Sequence, residues 1–156
     1  IIAITIALLC PEASLIAVDI SDQALQVAKE NADHLEVADQ LSFLHSDLFT
    51  LVPKDQYQII CSNPPYIPSA DINSLASEVQ QEPKLALDGG TDGLDYYRTI
   101  TATAPAYLAA GGYLVMEIGF DQASAVLSLG QQQGFSNCRV IQDYAGKDRV
   151  VVMQWL

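Results

Sequence analysis

Residues 57–66 read Tyr-Gln-Ile-Ile-Cys-Ser-Asn-Pro-Pro-Tyr. The first six predict a short apolar strand. Pro64 and Pro65 have no amide hydrogen to donate to a ladder, so the strand stops at Ser62. Open parallel sheets bind ligands outside the carboxyl ends of their strands, which makes Asn63 to Tyr66 the leading candidate site. Its chemistry is specific. An amide or aromatic amine nitrogen is a poor nucleophile because its lone pair is delocalised. The Asn63 side-chain oxygen and the Pro64 carbonyl can each accept one N–H, which aims that lone pair at an electrophile. The prolines place both acceptors in advance. Tyr66 offers a flat face on which a planar group can stack. The competing reading is a proline-rich loop without a task, and the rarity of this string after a strand disfavours it.

Outward from this stretch, strands and helices alternate, the pattern of an α/β domain with a mainly parallel sheet. Towards the N-terminus, residues 1–9 read as the tail of a helix, 15–19 (LIAVD) as a buried strand and 41–45 as a second one. Ser21 caps the helix between them, whose apolar positions Ala24, Leu25, Ala28 and Ala32 fall at helical spacing. Towards the C-terminus comes a long connection, 66–93, with a short helix expected over 71–80. A connection of this length in a compact domain is usually functional. Residues 94–109 read as a helix closed by Gly111-Gly112, with Pro105 predicting a kink or break. Residues 113–117 read as a strand and 123–133 as a helix. Residues 135–142 and 149–155 read as an antiparallel hairpin.

The carboxyl ends of these strands carry Asp19, Asp47 with Leu48, Asn63 to Tyr66, and Glu117. Asp19 suits the two hydroxyls of a ribose, against the plainer reading of an acid beside a helix N-terminus. Asp47 suits an adenine amino group with Leu48 packing on the ring, although alone it reads as a solvated turn residue. All of these are expected to face one cleft along the sheet. The segment Asp88 to Gly93 superficially suggests a calcium loop, but the third and twelfth positions hold Gly90 and Thr99, which excludes the EF-hand pattern. His34 and His45 have no metal or triad spacing.

The 156 residues predict one domain over 1–156. Half of them are hydrophobic, enough for a core, and only 17% are charged. Seven Lys and Arg against 19 Asp and Glu give a net charge of −12, which argues against duplex nucleic acid held on a basic patch. No apolar run reaches membrane-spanning length. Cys10, Cys61 and Cys138 are scattered, which predicts reduced, buried thiols in a cytoplasmic protein. The chain opens on Ile1 in mid-helix, so upstream residues are expected.

Asn63-Pro64-Pro65-Tyr66, then Glu82-Pro83, then Ala86-Leu87-Asp88-Gly89-Gly90-Thr91-Asp92-Gly93-Leu94, Tyr96-Tyr97-Arg98 and Asp148-Arg149-Val150-Val151 together resemble the HemK-type protein-(glutamine-N5) methyltransferases. The similarity runs through nearly the whole chain. The tetrapeptide alone is shared with adenine-N6 methyltransferases, and the ALDGG-x-DGL string is far more specific. The resemblance implies a class I S-adenosylmethionine-dependent methyltransferase fold, Rossmann-like, with sheet order 3-2-1-4-5-7-6. The first, central strand and the glycine-rich cofactor loop after it are expected to lie before Ile1. It implies ribose binding by Asp19, adenine binding by Asp47 and Leu48, and a glutamine held by Asn63, Pro64, Pro65 and Tyr66, with Asn63 also bordering the cofactor. The implied substrate is the Gly-Gly-Gln glutamine of a peptide-chain release factor, with a ribosomal protein as the substrate of a sister group. Catalysis would rest on positioning, with no strong general base. Two alternatives stay open: an adenine-N6 methyltransferase acting on DNA or RNA, and a non-catalytic interaction module of the same fold.

Overall fold

A computed structural model describes residues 1–156. The chain divides into two compact units, residues 1–53 and 54–156.

The first unit is built from α1 (Ile2–Leu9), β1 (Leu15–Asp19), α2 (Asp22–His34) and β2 (Leu41–His45). Both strands fall where their apolar runs put them. They pair in parallel from Leu15 opposite Leu41 to Asp19 opposite His45. Ser21 caps α2 as expected, its Oγ accepting the Ala24 N–H at 3.2 Å. The buried stripe of α2 is narrower than predicted: Leu25 and Ala32 are buried, Ala28 is half-buried and Ala24 is exposed. Ile4, Ala7, Ala32, Val37 and Leu41 form the core, with Leu15, Ala17 and Phe43 packed against it.

The second unit holds β3 (Tyr57–Ser62), α3 (Lys84–Leu87), α4 (Asp95–Thr103), β4 (Leu108–Glu117), α5 (Ala123–Gln132), β5 (Ser136–Gln142) and β6 (Asp148–Gln154). Its sheet runs β3-β4-β6-β5. β3 and β4 are parallel, whereas β6 is antiparallel to both β4 and β5. The C-terminal hairpin is therefore present. Without its central strand, the order implied by the resemblance reduces to β2-β1 and β3-β4-β6-β5 in this chain's numbering, and those are the two orders found. Leu114, Met116, Val151 and Met153 are fully buried in the sheet, as are Tyr97 and Ile100 of α4 and Val126 of α5. Gly130 lets α5 press on β6, since a Cβ there would come to 2.1 Å from the Met153 sulfur. Beside β6, Trp155 meets Phe135 edge-to-face at 5.5 Å.

Three sequence expectations are corrected. The helix read over 94–109 ends at Thr103, before a short 3-10 turn at Ala104–Ala106. Pro105 supplies the expected break. Residues 108–112 are strand, and Gly111-Gly112 closes no helix. The β3–β4 register jumps from Tyr57 opposite Leu108 to Ile59 opposite Tyr113, so the glycines lie in a bulge, with Gly111 at φ +81°. The residues after Pro105 are captured by the β3 ladder, where Tyr57 N–H donates to the Tyr107 carbonyl. The helix expected over 71–80 is two separate 3-10 turns, Ile72–Ser74 and Val79–Gln81. The cysteines are free, but they are not core residues: Cys10 and Cys61 are exposed and Cys138 is half-buried. Cys61 lies on β3, the end strand of its sheet. No helix is long and apolar enough to cross a membrane.

Candidate active site

In the first unit, Asp19 is the last residue of β1 and is exposed. One carboxylate oxygen accepts the Ser21 N–H at 2.8 Å, an Asx-type turn that fixes the side chain and leaves its second oxygen for a ligand. The turn is also held from β2. A His45 ring nitrogen lies 2.8 Å from the Ile20 carbonyl, and the other lies 3.4 Å from Asp22. Ser46 is buried and continues the parallel pairing, its N–H donating to the Asp19 carbonyl at 3.1 Å. Its hydroxyl accepts from the Leu51 N–H and donates to the Leu48 carbonyl. Asp47 beside it is exposed, and Leu48 sits at φ +45°. A left-handed leucine is uncommon, and strained backbone of this kind concentrates where function requires it.

In the second unit, β3 delivers Asn63 to Tyr66 at its carboxyl end. Asn63 is exposed, Pro64 is buried, and Pro65 and Tyr66 are half-buried. The continuation of this loop is laced to the segment after α3. Ile67 N–H donates to the Leu87 carbonyl, Gly89 N–H to the Ile67 carbonyl and Ser69 N–H to the Gly90 carbonyl, at 2.8–3.0 Å. The Asp88 carboxylate closes the same seam, accepting from the Ser69 hydroxyl at 2.6 Å and the Gly90 N–H at 3.0 Å. The Ser69 hydroxyl, and then the Gly90 amide, hold Asp88 below the usual carboxylate range. Asp92 accepts from the Leu94 N–H and is gripped by the Arg98 guanidinium, which also lowers its pKa.

Tyr66 does more than offer a ring face. Its hydroxyl donates to a Glu117 carboxylate oxygen at 3.3 Å. Burial, reinforced by the Glu117 charge, raises the phenol above its ordinary value, and Arg149 opposes the shift. The fully buried Tyr97 donates to the Glu117 carbonyl at 2.9 Å, and its burial raises that phenol further. Glu117, chosen only for its place at a strand end, therefore meets Tyr66 directly.

Each strand-end residue predicted from sequence order lies at the carboxyl end of a parallel strand: Asp19 and Asp47 in the first unit, Asn63 to Tyr66 and Glu117 in the second. From sequence alone, residues 88–93 were only excluded as a calcium loop; the structure gives Asp88, Gly89 and Gly90 a further role. They form the seam under the tetrapeptide. The glycine spacing within ALDGG-x-DGL was the available signal. The sequence reading missed His45, whose hold on the turn after β1 depends on strand register and not on motif spacing.

Residues 1–91 match the family described as "Methyltransferase small domain", and the chain belongs to that family. Its fold is that of the class I methyltransferases. Over 96% of its length the chain is 42% identical to a release factor glutamine methyltransferase of Geobacter sulfurreducens, covering 52% of that protein. Over 78% of its length it is 44% identical to a ribosomal protein uL3 glutamine methyltransferase of Bordetella pertussis, covering 41% of it. A solved methyltransferase from Pyrococcus furiosus shares the fold at TM-score 0.69 and 15% identity, over 96% of this chain and 68% of that one. The chain spans about half the length of the curated relatives it matches.

Proposed function

We propose that the protein carrying this chain methylates the side-chain amide nitrogen of a glutamine, in the Gly-Gly-Gln motif of a peptide-chain release factor, with S-adenosylmethionine as methyl donor and the cytoplasm as its place of action. The observation that carries this reading is Asn63-Pro64-Pro65-Tyr66 at the end of β3, with Asn63 exposed, in a chain 42% identical to a protein named for that activity.

The acceptor groups suit the cofactor's nucleoside. Asp19 keeps one carboxylate oxygen beyond its turn bond, which fits a diol. Asp47 is an exposed acceptor for an amino group, and Leu48 lies beside it for an aromatic ring. When bound, S-adenosylmethionine supplies an electrophilic methyl group. The chain's own residues handle the nucleophile. Asn63 Oδ1 and the Pro64 carbonyl accept the two amide N–H groups, which fixes the nitrogen's orientation. Pro65 stiffens the loop, and the Tyr66 ring stacks on the carboxamide plane. Correct placement of this kind is worth several orders of magnitude in rate. Asn63 also borders the methyl donor in this reading.

The test is transfer of labelled methyl groups by the whole protein to a release factor carrying Gly-Gly-Gln, to the same factor with that Gln replaced, to ribosomal protein uL3 and to adenine-containing DNA. Label on the first alone is expected. Equal label on the first two defeats the glutamine assignment. Label on uL3 alone moves the substrate to the ribosome, and label on DNA alone favours the adenine reading.

A further inference from the structure

Gln122 stands immediately before α5, and nothing in the reading above uses it. Its carboxamide has two N–H donors and an oxygen with two acceptor sites, and three of the four are engaged. Nε2 donates to the Tyr66 carbonyl at 2.9 Å and to the Gly93 carbonyl at 3.3 Å. Oε1 accepts from the Gly119 N–H at 2.9 Å and lies 3.4 Å from the Tyr97 hydroxyl, whose proton goes to the Glu117 carbonyl. One side chain thus ties together three segments of the second unit, the exit of the tetrapeptide, the glycine loop and the turn after β4, beside Tyr97 of α4.

The surroundings are shaped to admit this group. A Cβ on Gly93 would come to 2.4 Å from the Tyr66 carbonyl oxygen and 2.7 Å from Gln122 Nε2, and Gly93 sits at φ +73°. A Cβ on Gly119 would come to 2.8 Å from Gln122 Oε1. Two glycines therefore leave room for a carboxamide between them. The carbonyl it holds belongs to the residue whose ring is the stacking face, two positions after the carbonyl assigned to the target amide.

We propose that Gln122 is a positioning residue for methyl transfer: its carboxamide holds the Tyr66 backbone, and with it the Pro64 carbonyl and the Asn63 side chain, in the geometry that orients the target nitrogen. This rests on the glutamine-methyltransferase reading for its kinetic consequence, but the anchoring it describes is measurable without it.

The decisive variant is Gln122→Glu in the whole protein. Glutamate keeps an acceptor for Gly119. When ionised, it sets a second oxygen against the Tyr66 and Gly93 carbonyls, where Gln122 had a donor. When protonated, it regains one O–H donor. Facing two carbonyls and partly desolvated, this carboxyl titrates above its ordinary value. A misplacement of about 1 Å costs on the order of 100-fold in rate, so at about pH 8 kcat for a Gly-Gly-Gln peptide is expected to fall by about 10- to 100-fold. Cofactor affinity should change by less than about twofold, and the deficit relative to wild type should shrink as pH is lowered towards about 6. A merely structural role would lower kcat only in proportion to the folded protein lost, which thermal denaturation of the same variant at both pH values measures. Amide hydrogen exchange at Ile67, Ser69 and Gly89 supplies the second readout, because all three N–H groups lie in the seam beside the tetrapeptide. They should exchange faster in Gln122→Glu at pH 8, and in the uncharged Gln122→Met, than in wild type. Wild-type kcat with wild-type protection in both variants overturns the proposal. If wild type itself transfers no methyl to glutamine, the functional reading fails and exchange alone decides the anchoring. If Gln122→Met does not fold, the pH response of Gln122→Glu decides.

Discussion

Gly89 lies directly against Tyr66: a Cβ on Gly89 would stand 2.8 Å from the Tyr66 Cα and 2.9 Å from the Pro65 carbonyl oxygen. All the crowding atoms are backbone, and Gly93 Cα is as near, at 2.9 Å. No rotamer change relieves such a contact. Gly89→Ala is therefore expected to push the tetrapeptide aside. Overpacking of this kind costs about 1–3 kcal/mol. Thermal denaturation should show a lowered Tm, and methyl transfer should fall further than the loss of folded protein explains. An unchanged Tm with full activity would mean the loop has slack that the geometry denies.

Asn63→Ala removes one acceptor for the target amide without touching Asp19 or Asp47. The rate of transfer should fall on the order of 100-fold, the usual consequence of a misplaced reacting group, with cofactor affinity little changed. Asn63→Asp keeps an oxygen near the same place and should retain partial activity. Steady-state kinetics beside cofactor titration separates the two effects. A loss confined to cofactor binding would remove Asn63 from the substrate's side of the reaction.

Asp19→Ala should act in the opposite sense. A hydrogen bond to a charged acceptor contributes about 1.5–3 kcal/mol, so calorimetry on the whole protein should show weakened cofactor binding. The same variant loses the turn bond to Ser21. Asp19→Asn, which keeps an acceptor for that N–H, serves as the control for local disorder. Equal affinity in all three proteins would exclude Asp19 from the binding site.

Strong acid should loosen the C-terminal hairpin through Asp143. Its carboxylate accepts from the Lys147 N–H at 3.0 Å, from the Ala145 N–H at 2.9 Å and from Arg149. The Lys147 amide leads the interactions that hold its pKa below the usual range. A depressed carboxylate pKa stabilises the fold above the unfolded value, near about 3.9, and that contribution fades as pH falls through the lower folded value. Wild type should therefore melt above Asp143→Asn at neutral pH, and the gap should narrow below about pH 4. A gap that widens in acid would reverse the sign and refute the assignment.

β1 and β3 were legible to the residue because each is a short, largely apolar run closed by an acid or by prolines, and β2 was legible from its alternating Leu41, Phe43 and Leu44. Residues 108–112 were not, because a glycine pair has two uses. It ends a helix or opens a bulge, and only the β3 partner decides between them. Within the candidate site, Asn63 to Tyr66 could be read locally, since the chemistry lies in four consecutive residues. The contact of Gly89 with Tyr66 joins residues 23 apart through backbone alone, and Gln122 reaches Tyr66 across 56 positions. No periodicity encodes either contact. His45 was invisible for the same reason: its partner Ile20 is 25 residues away.

Trp155 is the single tryptophan of the chain, and it stands edge-on to Phe135 next to Gly134 at the hairpin side of the second sheet. Its fluorescence therefore reports on its own surroundings within residues 54–156, and residues 1–53 carry no tryptophan. Far-ultraviolet circular dichroism sees the helices and strands of both. Melting followed by the two signals together asks whether the units unfold as one cooperative body: superimposable curves answer yes, and a dichroic transition with no counterpart in the emission answers that the first unit lets go by itself.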